Sequence, residues 1–520
     1  MKLKNFIKKP FVLIIISAVL SALPLTFSCL FALSWFSFVP LFYVLITHSE
    51  NKLRFAFGRG FLFGFIYHIC IYYWFLWFYP LDYAHLTKAS SIAVVMLAWF
   101  GISAVHGALW CIPTLCCHFV SKVNKNPMLI SAVAIIGIIA AEKLTQIGEL
   151  SFPWARISLG QYRAPALIQS VSIFGTDGMD ILILFINALL TLLLICPFKK
   201  RVAAAVAAAV IFCANLGFGL ARLKTEIGGK EITVMTVQGS VEQSDKWSEN
   251  GIELCYDTYS SLTKENTTDE TDLVIWPESA VPKVYKSEKS LKQYKSLSKE
   301  IDTPLLVGIL IKSDEQSTNN ALLVDRDEIK ASYTKRQLVP FGEYMPYKDV
   351  LSKIFPFLEG LNIIEDDYIS GTDTDIIETD IGKIGTVICF ESIYTELTRQ
   401  SVLDGAELMV EVTNDSWLKD SPAMQQHLAH GVFRSIENSR PFIRSANSGI
   451  SAFIDSRGRI TSELGALKQG VITDTVYCSN ETTLYTKSGD ILFPICLVIV
   501  TVWYLLSVIQ YFIKKRDNEK

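Results

Sequence analysis

The chain has 520 residues, of which 50% are hydrophobic and only 19% charged. A water-soluble protein carries nearer a quarter of its residues as charges, so a wholly soluble globular chain is excluded. The formal net charge of −3 and the lack of any long basic run leave no reason to expect a nucleic-acid partner.

The apolar excess lies in residues 10–220 and again after 490, and the stretch between has ordinary soluble composition. The expected organisation is a membrane domain over 1–228 with about seven transmembrane helices, a globular domain over 229–487, and a final transmembrane helix with a tail over 488–520. Lys2, Lys4, Lys8 and Lys9 precede an apolar run over 11–27, and a second run over 30–47 follows at once. This reads as a membrane hairpin rather than a cleaved signal peptide. Further spans are expected at 60–79, 91–120, 128–146, 165–196, 202–220 and 491–513. Gly175, Asp177 and Asp180 interrupt 165–196, which predicts a short interfacial helix followed by a span.

In an eight-span arrangement the N-terminal lysines share one side with Lys52, Arg54 and Arg59, with Lys122 and Lys125, with Lys199, Lys200 and Arg201, and with Lys514, Lys515 and Arg516. The excess of Lys and Arg makes that side cytoplasmic. The globular insertion is then expected on the periplasmic face of a bacterial inner membrane. Glu142 and Lys143, near one helix end, are expected to pair with each other or snorkel, and a functional role for them rests only on their rarity at membrane depth. His68 and His106 read as helix-packing residues. Seven of the eleven cysteines lie in the apolar N-terminal part, while Cys255, Cys389 and Cys478 lie in the globular part, where an odd number leaves at least one thiol free.

The globular part alternates short β-rich runs with helical patterns, the clearest helix being 423–439 with Leu428, Val432 and Ile436 on one face. This predicts an α/β domain. Three apolar runs end in a functional group: one from Asp272 ends in Glu278, one from Ile329 ends in Lys335, and one from Ile384 ends in Cys389. The set suits covalent acyl transfer. A thiol is mostly protonated at neutral pH and needs a base, which a carboxylate such as Glu278 supplies. An ammonium such as Lys335 and the backbone N–H of Phe390 are suited to hold the oxyanion of a tetrahedral intermediate. His427 and His430 are the only histidines of this part, and without an apparent third ligand no metal is expected, nor any other cofactor. The run from Tyr344 to Leu358 is too apolar for a solvated loop. It is expected to be a lid whose Phe355, Phe357 and Leu358 dip into the bilayer, or else a helix packed on the domain core.

The segments Trp276-Pro277-Glu278, Lys335 to Glu343 and Cys389-Phe390-Glu391 resemble the motifs of the nitrilase superfamily. With the membrane spans around them, and with Asn414 to Trp417 and Gln425 to Ile454 adding to the match, essentially the whole chain resembles that superfamily's membrane-bound apolipoprotein N-acyltransferase family. The resemblance implies an αββα sandwich beside a polytopic α-helical membrane domain, and a Glu278-Lys335-Cys389 triad. It implies transfer of an acyl chain from a phospholipid, through a cysteine thioester, to the N-terminal amine of a diacylglyceryl apolipoprotein, by a monomer. Glu343 matches a carboxylate that assists the triad, and Glu391 and Trp247 match further functional positions. Phe390 departs from the tyrosine common after the nucleophile, so a hydroxyl there is not essential. Two other readings stand beside this one: a membrane-tethered nitrilase-like amidase that passes the acyl group to water, and a receptor or transporter with an inactive nitrilase-like domain.

Overall fold

The computed structural model describes residues 9–48, 52–81, 86–246, 248–313, 316–354 and 367–518. Apolar helices fill its N-terminal half. They are α1 (Pro10–Thr26), α2 (Val39–His48), α3 (Leu53–Ile71), α4 (Lys88–Leu109), α5 (Cys111–Val123), α6 (Pro127–Leu144), α7 (Val171–Ile195) and α8 (Phe198–Leu223). Short 3-10 turns extend two of them, Ser28–Trp35 ahead of α2 and Tyr72–Phe78 after α3, and α4 runs into α5 across Trp110. One further apolar helix closes the chain. Among the described residues, seven such segments are long and apolar enough to cross a membrane. The expectation of about eight spans counts α1 as well. Its 17 residues rise about 25 Å, short of a hydrocarbon core about 30 Å thick.

A short helix, Pro165–Ile168, precedes α7, and α7 itself breaks at Gly175, whose φ is +69°. A side chain at Gly175 would collide with the Tyr485 ring, so glycine answers both the turn and the close approach. Glu142 and Lys143 do not pair with each other, contrary to expectation. Lys143 lies 2.6 Å from Asp177 and 2.8 Å from Asp490, while Glu142 faces the Arg156 guanidinium at 3.5 Å. Adjacent residues on a helix point about 100° apart, so each turns to a different neighbour. His68 and His106 are buried packing residues, His68 bonding the Gly64 carbonyl and His106 the Tyr72 hydroxyl.

The described strands between Lys230 and Cys478 form two sheets. The first has the order β13-β1-β2-β4-β5-β6, with β1 (Lys230–Gln238), β2 (Leu273–Trp276), β4 (Leu305–Ser313), β5 (Gln316–Asp325), β6 (Glu328–Thr334) and β13 (Gly470–Cys478), and the two-residue β3 (Val284–Tyr285) pairs with β4. The second has the order β12-β11-β10-β9-β8-β7, with β7 (Ile377–Thr379), β8 (Gly382–Ile388), β9 (Leu408–Thr413), β10 (Phe442–Ala446), β11 (Ser451–Ile454) and β12 (Ile460–Leu464). In each sheet the central strands, β1-β2-β4 and β8-β9-β10, run parallel.

The period-2 alternation of β-strands sorts side chains between two cores. Ile232, Val234, Leu273, Ile275 and Leu306 meet Ile384, Ile388, Leu408, Val410 and Ile443 between the sheets. Met235, Val237, Val274, Trp276 and Val307 face α9 (Gly251–Asn266) and α10 (Lys292–Glu300) through Cys255, Tyr259, Tyr294 and Leu297. On the far side, Val387, Met409, Phe442 and Ile454 meet Leu428, Val432 and Ile436 of α12 (Ala423–Asn438), near α11 (Thr395–Leu403). The result is an αββα sandwich. Its second helical layer shares one continuous apolar cluster with the membrane helices. β3, β7 and β12 have no counterpart in the sequence reading. The first two span two and three residues, and β12 alternates between half-buried and exposed, so none shows an apolar run. The last helix is α13 (Leu492–Asn518).

Candidate active site

Three strand ends converge at one edge of the sandwich, where the parallel strands present their carboxyl ends, the usual position for ligands in open α/β sheets. Glu278 lies just past β2 in a loop that leans on β4. A Cβ at Gly308 would stand 2.5 Å from the Glu278 Cα and from the Pro277 carbonyl, so only glycine admits this approach. Lys335 follows β6 directly, and Cys389 follows β8 as the first residue of the 3-10 turn Cys389–Ile393. Cys389 sits at φ +53°, a left-handed conformation that is rare outside glycine and typical of strained functional positions.

The Lys335 ammonium, 1% exposed, donates to Glu278 Oε1 at 3.2 Å and to Glu343 Oε1 at 2.8 Å. Asn319 on β5 donates its amide to the same two oxygens, at 2.7 and 3.0 Å. The second oxygen of Glu278 accepts from the Asn414 N–H at 2.9 Å, and that of Glu343 from the Val339 N–H at 2.9 Å. Burial opposes the charge on Lys335, but Glu278 and Glu343 outweigh it and hold the lysine well above its ordinary pKa. Burial and the nearby Glu278 carboxylate push the Cys389 thiol well above its ordinary value, against the pull of Lys335 and a bond from Thr413. The resting site is thus a protonated thiol beside a carboxylate already bound to an ammonium.

Glu391, fully buried, ties two of these strand ends together. Its Oε1 accepts from the Arg336 N–H at 2.6 Å and the Gln337 N–H at 3.0 Å, next to Lys335. Its Oε2 accepts from the Ile388 N–H at 2.7 Å, next to Cys389, and from the Tyr333 hydroxyl at 2.8 Å. The Phe390 ring stacks on Phe152, from the loop after α6, with centroids 5.8 Å apart, and meets Tyr394 edge-on. Glu278, Lys335, Cys389, Glu343, Phe390 and Glu391 are therefore gathered at one site. Trp247, Phe355, Phe357 and Leu358 lie outside the described residues.

Other members of the site carry little sequence signature. Asn319 is one of two adjacent asparagines inside a strand, and only its buried position marks it out. Glu411 and Arg444 interrupt apolar strand runs, and a charge inside a buried strand is a signal in itself. Arg444 pairs with Glu411 and Asp415 beneath the Cys389 turn, and His427 joins them. His427 and His430 serve separate partners, with His430 bonding the Trp154 carbonyl. Lys246 is 1% exposed, its amine has no hydrogen-bond partner among the described residues, and burial lowers its pKa to about 8 against the pull of Cys255 and Glu278. Cys255, Cys389 and Cys478 are all free thiols.

An αββα sandwich with a glutamate, a lysine and a cysteine at converging strand ends defines the carbon-nitrogen hydrolase class, and the carbon-nitrogen hydrolase family pattern matches residues 233–482. The pattern of the apolipoprotein N-acyltransferase N-terminal domain matches residues 17–189. Similar proteins include the apolipoprotein N-acyltransferase of Geobacter metallireducens, 30% identical and covering 94% of this chain and 94% of that protein. Those of Allorhizobium ampelinum (30% identical, 91% of each chain) and Gloeobacter violaceus (28% identical, 89% and 87%) are also similar. The chain belongs to the apolipoprotein N-acyltransferase family.

Proposed function

We propose that this multi-pass membrane protein transfers an acyl chain from a phospholipid to the N-terminal amine of a diacylglyceryl apolipoprotein in two half-reactions, through a thioester on Cys389. The observation that carries this reading is the buried contact of Lys335 with both Glu278 and Glu343, at the site where the Cys389 turn ends β8.

In the first half, the Glu278 carboxylate takes the thiol proton as sulfur attacks the ester carbonyl. Lys335 and the Phe390 N–H hold the oxyanion, and the protonated Glu278 returns the proton to the departing lysophospholipid oxygen. In the second half, the α-amine, having lost its ammonium proton, attacks the thioester. Glu278 receives a proton from the attacking nitrogen and delivers it to the leaving sulfur. Glu343 keeps Lys335 paired throughout, so the lysine stays charged when Glu278 is neutral.

The basic loops support placing the site on the periplasmic face, and the platform of spans supports a lipid donor over a water-using amidase. A division at residues 229 and 488, and a monomeric state, complete the reading.

The test is incubation with labelled phospholipid. Wild type accumulates label on Cys389 that neutral hydroxylamine releases, and added acceptor discharges it to an amide. Cys389→Ala forms no adduct, and Cys389→Ser forms little, because a carboxylate activates a hydroxyl poorly. Glu278→Gln slows thioester formation, and Lys335→Met slows both halves by a few kcal/mol of transition-state energy, about 2 to 4. Near wild-type transfer by Cys389→Ala would overturn the assignment.

A further inference from the structure

His427 has no part in the triad, yet its ring is aimed at the nucleophile's turn. Its Nε2 lies 3.2 Å from the Cys389 carbonyl oxygen, 3.1 Å from Ser392 Oγ and 3.2 Å from Glu411 Oε1. A carbonyl and a carboxylate only accept, so Nε2 carries a hydrogen. The other nitrogen, Nδ1, faces Asp415 Oδ1 at 3.1 Å and Arg444 Nη2 at 2.9 Å. It can donate to the first or accept from the second without altering Nε2. The ring is 1% exposed and packs against Trp154, with centroids 5.4 Å apart. The Nε2–H lies in the plane of this packed ring and is directed at the Cys389 carbonyl and Ser392 Oγ. The Ser392 hydroxyl, 3.2 Å from the same carbonyl and 3.0 Å from Glu411, can donate to the carboxylate and leave the carbonyl to His427.

The carbonyl it meets belongs to the peptide unit that joins Cys389 to Phe390. In a trans peptide the C=O and N–H point in opposite directions. Pinning the oxygen on the His427 side therefore turns the Phe390 N–H away from His427. That N–H belongs to the second residue of a 3-10 turn, so it has no acceptor inside the turn. The turn itself is strained at Cys389. A donor on the carbonyl oxygen also polarises the peptide and strengthens the same unit's N–H as a donor.

We propose that His427 is a positioning residue for acyl transfer: its Nε2–H pins and polarises the Cys389 carbonyl, and so orients and strengthens the Phe390 N–H as an oxyanion donor. The inference rests on Cys389 being the nucleophile.

The test compares two rates in the full-length protein in phospholipid micelles. One is thioester formation on Cys389 from labelled phospholipid. The other is alkylation of Cys389 by iodoacetamide, read on the Cys389 peptide by mass spectrometry. Alkylation needs the same sulfur but builds no oxyanion, so the ratio of the two rates isolates the oxyanion donor. A whole oxyanion donor is worth about 10²- to 10³-fold, so misdirecting and weakening one should cost part of that. H427N, whose amide falls one carbon short, and H427M, which has no donor, should each lower the ratio about tenfold or more. H427Q, whose amide reaches the carbonyl, should keep the ratio within about threefold of wild type. The proposal is overturned if both rates fall together in H427N and H427M, if the ratio is unchanged, or if neither variant folds. Absence of a thioester in wild type would instead sink the reading of Cys389.

Discussion

Glu391 shows how a residue that need not react can hold a site together. Its two oxygens accept four bonds, from Arg336, Gln337, Ile388 and Tyr333. All four partners donate, so an amide nitrogen in place of either oxygen would face a donor. Glu391→Gln should destabilise the protein by about 2 kcal/mol and lower turnover at least about tenfold, because the ends of β6 and β8 lose their common anchor. Thermal unfolding and turnover measured together check this, and a variant with wild-type stability would refute it. His427 sets a pH dependence. Burial and Arg444 both disfavour its charge, but Asp415 and Glu411 prevail and raise its pKa from 6.5 to about 9. A folded pKa above the unfolded one means a contribution fully present below about pH 6.5 and lost as pH rises through about 9. Wild type should therefore lose stability between these values, by something on the order of 3 kcal/mol. Unfolding followed at pH 6 and pH 9.5 should show that slope in wild type and a shallower one in H427Q.

At the scale of elements, the site depends on how closely β4 approaches the loop after β2. The missing side chain at Gly308 lets the Glu278 backbone settle against the strand. Gly308→Ala adds one methyl group where there is no room. It should cost about 1 to 3 kcal/mol of stability and displace Glu278 relative to Lys335, and a displacement of about 1 Å can cost about 10²-fold in rate. Thioester formation should fall far more than the melting temperature suggests, and unchanged kinetics would show that the loop relaxes freely. α12 is the second decisive element. Every side chain from Gln426 to Asn438 is buried, because one face packs on β9 and β10 and the other meets the membrane helices.

For the whole molecule, the two parts are joined by bonds that neither makes alone. The Trp154 indole donates to Gln426 at 2.7 Å, Gln169 to the Arg457 carbonyl at 2.8 Å, and the Thr176 hydroxyl to Glu437 at 2.6 Å. Phe78 stacks on Trp417 at 5.7 Å. Residues 229–487 expressed alone would expose the membrane-facing side of α12, with its buried Arg434 and Glu437 stripped of Thr176. That fragment should aggregate or bind a hydrophobic dye, as sedimentation and dye fluorescence would report, and a soluble, dye-silent monomer would contradict the prediction. The proposed orientation rests on the basic loops. A reporter active only in the periplasm should work when fused after Lys230 and fail after Arg201, and the reverse would invert the topology.

The elements with strong local patterns were legible in the sequence. Long apolar runs were legible as membrane helices, and apolar runs ending in Glu278, Lys335 and Cys389 were legible as strands carrying chemistry at their ends. That β6, two antiparallel pairings beyond β4, brings Lys335 to the same edge was decided by the sheet order. The face of α12 was readable from Leu428, Val432 and Ile436, which recur every four residues and so share one side of a helix. Tertiary structure alone decided what depends on distant partners. It placed Asn319 between two carboxylates, turned Glu142 toward Arg156 and away from Lys143, and brought His427 against the Cys389 carbonyl. Hydrogen bonds and ion pairs act over about 3 Å in space with no fixed separation in the chain, so periodicity carries no record of them.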